Sequence, residues 1–106
     1  MILTTTPDVQ GYKIVKTLGL VRGNTIRARH IGRDIAAKFR GMIGGEITEY
    51  TKMIAESREQ SVDRMIAEAD ELGANAIVNV RFSTSSMMQS AAELLCYGTA
   101  VVIEML

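Results

Sequence analysis

The segment from Glu46 to Leu72 constrains the fold more than any other: 27 residues with neither glycine nor proline, closed by Gly73. Its pattern predicts one long amphipathic helix with Gly73 as the residue just past its C-terminus. With Ile54 at 0° and 100° per residue, Ile47, Tyr50, Met65, Ala69 and Leu72 fall within about 60° of it. That is the expected buried stripe. Glu49, Glu56, Asp63 and Asp70 recur every seven residues on the opposite side, as a solvated back would. Arg58 lies inside the stripe beside Ser57 and Ser61, so an inward guanidinium is expected there, held by an ion pair or carbonyls, or else reaching a bound anion.

Strands surround this helix. From Lys13 to His30 a hairpin is expected, with Ile14, Leu18 and Leu20 alternating against Lys13, Thr17 and Gly19 and a two-residue turn at Gly23-Asn24. Ile31, Ile35, Phe39 and Met42, spaced 4, 4 and 3, predict a short helix ended by the Gly41, Gly44, Gly45 cluster. Two more strands follow, about 75–83 and 93–105, joined by a polar serine-rich loop. Both faces of the last strand are apolar: Leu94, Cys96, Ala100 and Val102 on one, Leu95, Tyr97, Val101, Ile103 and Met105 on the other. One helix covers only one face of a small sheet, so a second subunit is expected on the other. The fold class is therefore α+β: a small antiparallel sheet on one long helix plus a short one, in one domain spanning 1–106.

The twelve basic and twelve acidic side chains cancel, yet they are segregated. Residues 1–41 hold eight bases and two acids, a net +6, and residues 42–106 hold four bases and ten acids, a net −6. These totals exclude a uniformly basic nucleic-acid binder and an acidic disordered tail. Arg22, Arg27, Arg29, Arg33, Lys38 and Arg40 form a basic segment opposed only by Asp34, able to hold phosphate or nucleic acid or to face the acidic half across a subunit boundary. Its one aromatic, Phe39, belongs to an apolar stripe, so base stacking is not indicated and nucleic acid is the less favoured partner.

A lone Cys96 and a lone His30 exclude a nucleophilic triad, and no catalytic residue is assigned. The Gly41–Gly45 run lacks the features of a P-loop. A metal site would have to pool ligands between subunits: His30 and Cys96, with Met87 and Met88 soft enough for Cu(I). Without a secretory leader pattern at Met1–Pro7 or an apolar run near the roughly 18–20 residues of a membrane helix, a soluble cytoplasmic protein with no membrane partner is expected.

The order and spacing of Ile2-Leu3-Thr4-Thr5-Thr6, Arg33-Asp34, Arg40, Gly44-Gly45, Tyr50, Arg58-Glu59, Leu72-Gly73-Ala74-Asn75-Ala76 and Gly98-Thr99-Ala100-Val101 resemble the YbjQ family of small, functionally uncharacterised bacterial proteins labelled as heavy-metal-binding. The resemblance implies an α+β domain assembled as a ring-like homopentamer, with a heavy-metal ion as a possible cofactor. Two departures stand out. Glu46-Ile47-Thr48 follows the double glycine where the family has arginine and small residues, which weakens an anion site at Gly44-Gly45. Asn79 stands where the family commonly has glycine. A non-catalytic homo-oligomeric module is thus the leading expectation, ahead of metal or metalloid binding and of anion or nucleic-acid binding by residues 22–40.

Overall fold

The computed structural model describes residues 1–27, 45–88 and 91–106. The expected short helix over Ile31–Met42 lies outside them, as do Arg29, His30, Arg33, Arg40 and Gly44. The described elements run in the order β1 (Ile2–Leu3), β2 (Tyr12–Arg27), α1 (Gly45–Glu71), β3 (Ala76–Met88) and β4 (Ala91–Met105). They form a four-stranded sheet in the order β1-β3-β4-β2, with α1 packed chiefly on β2, less on β4 and barely on β3.

The sheet is mixed where an antiparallel one was expected. β2 and β3 each run antiparallel to β4, but β1 pairs in parallel with β3, Ile2 against Ala76 and Leu3 against Ile77. Main-chain bonds prolong this N-terminal strap past β1: Thr4 donates to the Ile77 carbonyl at 3.0 Å, and Val80 and Asn79 donate to Thr4 and Thr6, each at 3.0 Å.

The expected hairpin at Gly23-Asn24 does not form. β2 continues through both residues, pairing Gly23 with Cys96 and Asn24 with Leu95. Gly23 is there because the helix backbone passes directly over it: a Cβ would meet the Ser61 carbonyl, stand 2.6 Å from the Met65 amide nitrogen and 2.8 Å from Arg64 Cβ. The alternation at Ile14, Leu18 and Leu20 also misplaces the buried face. Register shifts between Ile14 and Lys16 and between Thr17 and Gly19 break the period of two, so Val21, Gly23 and Thr25 face inward and Leu20 is 64% exposed.

β3 runs on through the expected serine-rich loop to Met88, its Ser83, Thr84 and Ser85 paired with Leu95, Leu94 and Glu93. Alternation fades there because residues 81–85 are exposed on both faces, so no burial demands it.

Two apolar clusters fill the two sides of the sheet. On the helix side, Val21, Ile77, Val80, Cys96 and Ala100 pack with Met65 and Ala69, joined by Leu18, Val62 and Ile66. On the other side, Ala76, Val78, Val101 and Ile103 pack with Val9 from the N-terminal segment and Tyr12 at the start of β2. Fully burying side chains of this kind contributes about 1.5–3 kcal/mol each. The helix ends in a Schellman arrangement: Ala74 donates to the Ala69 carbonyl, Gly73 to that of Asp70, and Gly73 takes φ +85°.

Candidate interaction site

The buried stripe of α1 is Ser57, Ser61, Met65 and Ala69, one residue in four. Such a ridge is inclined to the helix axis by about 26°, so it rotates around the helix along its length. Ile54, the centre of the expected stripe, and Leu72, its C-terminal end, are therefore 38% and 46% exposed. The same rotation corrects the expectation for Arg58, which is exposed. It lines a shallow surface groove with Ala55, Glu59, Val62 and Asp63 and is no buried cation.

Small polar residues occupy the buried side near Arg58. Ser61 Oγ donates to the Ser57 carbonyl at 3.0 Å and also lies 3.2 Å from the Leu94 carbonyl and 3.4 Å from Thr25 Oγ1. Ser57, Ser61 and Thr25 are all buried, and no described buried polar side-chain atom lacks a partner. A closely approached helix and strand leave room for hydroxyls but none for a guanidinium.

Of the expected metal residues, the structure describes the surroundings of Cys96 alone. Cys96 is fully buried, with its Sγ 3.7 Å from Met65 Sδ, and burial pushes its thiol pKa up, away from the thiolate that binds metal. His30 lies outside the described residues, and Met87 and Met88 end β3 with side chains that are not described. Among the described residues no three His, Cys, Asp or Glu side chains cluster. The soft pair that does form, Cys96 with Met65, sits closed inside the core and does not fit an exchangeable metal site.

Of the basic segment, Arg27 closes β2 with its side chain not described, and Gly45 is the first residue of α1. Arg22 is exposed on the sheet face opposite the helix, and there the register assembles what sequence spacing missed. Arg22 and Arg81 both pair with Tyr97, Asn24 and Ser83 with Leu95, and Ile26 and Ser85 with Glu93. Asn24 Nδ2 donates to Glu93 Oε2 at 3.0 Å, while Arg81 Nη1 is held by the Thr5 carbonyl at 2.8 Å. Arg81 and Tyr97, 16 residues apart in sequence, become neighbours only through strand pairing. The N-terminal segment covers the lower part of this face, whereas higher up Leu20 and Ile26 are exposed and Leu95 and Tyr97 half-buried.

A four-stranded mixed sheet carrying one helix on one face and a short N-terminal segment over part of the other defines a small α+β protein. The family model described as "Putative heavy-metal-binding" matches residues 1–104, and the chain belongs to this YbjQ family. It is 62% identical over 104 residues to the UPF0145 protein DET1617 of Dehalococcoides mccartyi, covering 98% of this chain and 100% of that one. The UPF0145 protein PH1682 of Pyrococcus horikoshii is 56% identical over 104 residues, covering 98% and 89%. A solved structure from Pediococcus pentosaceus, described as a protein with unknown function of the DUF74 family, superposes with a TM-score of 0.65 over 98% of both chains at 18% identity, a likeness of fold. Among the described residues no helix is long and apolar enough to cross a membrane.

Proposed function

We propose that this protein is a non-catalytic, homo-oligomeric cytoplasmic module, a ring whose shared surfaces bind a small ligand or partner. The observation that carries this reading is the outer face at Leu20 and Ile26, both more than half exposed among the described residues, with the half-buried Leu95 and Tyr97 between them. Exposed apolar side chains interspersed with Arg22, Arg81 and Asn24 on one sheet face have the mixed character of an interface between copies. The shape supports the same reading. Sixteen residues of β2 in one strand reach about 50 Å, and the radius of gyration is 17.2 Å against about 13 Å for a compact chain of this length.

Native mass spectrometry of the purified protein tests the proposal directly. The expected result is a single multiple of the 11.6 kDa chain, with any additional retained mass reporting a ligand. A monomer at micromolar concentration overturns it.

A further inference from the structure

Strand pairing sets three side chains in one row across the outer face. Arg22 of β2 and Arg81 of β3 both pair with Tyr97 of β4, so two exposed guanidinium groups flank one half-buried tyrosine. Strands about 4.8 Å apart put the two arginine Cα atoms about 10 Å apart, a span that two arginine side chains can close on one small anion above the ring. The row is built wholly of described residues, five positions before β2 ends and seven before β3 ends. Neither arginine is neutralised there. Among the described residues Arg22 and Tyr97 have no hydrogen bond or ion pair. Arg81 is held through Nη1 alone, which donates to the Thr5 carbonyl at 2.8 Å and the Val80 carbonyl at 2.9 Å, so the strap fixes this guanidinium while its Nε and Nη2 stay unengaged among the described residues. Neither β2 nor β3 contains an acid. The nearer acid of β4, Glu93, lies four residues from Tyr97 and already accepts from Asn24 Nδ2 at 3.0 Å.

We propose that Arg22, Tyr97 and Arg81 form a binding site for a phosphate group, free or carried on a small molecule. This deepens the ligand half of the proposed function, on which it rests, and is independent of the assembly half, because all three side chains come from one chain. The chemistry of the row selects the ligand. Each guanidinium is a planar fork that binds two oxygens side by side, and the tyrosine hydroxyl adds a donor between the forks. A carboxylate has two oxygens and one charge, enough for one fork. A phosphate monoester has three acceptor oxygens and close to two negative charges, and so engages both arginines at once. The fixed Arg81 supplies a preorganised half of the site, and Arg22 closes on the ligand from the other side.

Isothermal titration of the full chain with inorganic phosphate, and separately with ribose 5-phosphate, is the test, with light scattering on the same samples reading the assembly. One phosphate per chain is expected. Arg22→Gln is expected to weaken binding about tenfold or more, the scale of a lost charge-assisted hydrogen bond, and Arg22→Lys, which keeps the charge without the fork, to fall between the two. Tyr97→Phe removes the hydroxyl alone and is expected to weaken binding by a smaller factor. Lys16→Gln makes the same change of charge six residues away on β2 and is expected to leave binding unchanged; an equal loss there would overturn the site in favour of diffuse attraction. Phosphate is also expected to raise the thermal midpoint of the parent and not that of Arg22→Gln. Equal affinity for the two probes assigns the free ion and tighter binding of ribose 5-phosphate an ester, and either supports the site. An oligomer that binds neither probe would overturn the site and leave the homo-oligomer reading standing, whereas a single-chain species that binds would uphold the site and overturn that reading.

Discussion

Asn79 takes φ +54° in the left-handed region, where its amide donates to the Thr6 carbonyl and the β3 register shifts between Val78 and Arg81. A side chain there costs about 1–2 kcal/mol for most residues, and asparagine tolerates it best after glycine. This explains why the backbone accepts asparagine at this position. Asn79→Gly is expected to unfold in urea within about 1 kcal/mol of the parent, and Asn79→Val to lose about 1–2 kcal/mol; a valine variant as stable as the parent would show that this backbone conformation is not required. Gly98, beside the same irregularity, fits the same account: a Cβ there would stand 2.8 Å from Ile77 Cγ2 and 3.0 Å from the Val78 carbonyl. Cys96 gives a second prediction at this scale. Its folded thiol is held protonated by burial, above the roughly 8.5 of an unfolded thiol. As pH rises through that unfolded value the unfolded chain loses its proton first, so this group's contribution to stability falls on the alkaline side. A thiol reagent at pH 8 is expected to leave the native protein unlabelled and to react once denaturant opens the core, and stoichiometric labelling of the native protein would contradict it.

At the scale of elements, the α+β class and the glycine cap of the helix were legible, because 3.6-residue periodicity and a C-terminal glycine are local signals. The rotation of the buried ridge was not. A wheel projects the helix onto one circle, whereas packing follows Ser57, Ser61, Met65 and Ala69 around the axis, and so Arg58 emerges exposed. The continuity of β2 was also hidden, since Gly23-Asn24 is as good a turn as it is a contact point and only the helix above decides between them. Gly23→Ala tests that decision. The helix must shift off β2, and a loss of about 1–3 kcal/mol is expected from the midpoint of chemical unfolding; a neutral substitution would show that the close approach is not a constraint.

For the whole molecule, the two-faced β4 gave the most useful sequence signal, and the structure divides its outer side in two: a lower part packed with Val9 and Tyr12, and an upper part beside the exposed Leu20 and Ile26. The inward turn of Cys96 against Met65 was not legible in this way, because a lone cysteine in a two-faced strand suits either side. Segregated charge remains an argument about assembly: a basic N-terminal half and an acidic remainder complement each other between copies as readily as within one. Light scattering coupled to size exclusion at micromolar protein, run at low salt and at 1 M salt, tests the homo-oligomeric claim most directly. The account predicts a mass several times 11.6 kDa at low salt and a loosened assembly at 1 M, where the Debye length is about 3 Å. A single-chain mass at low salt would contradict it.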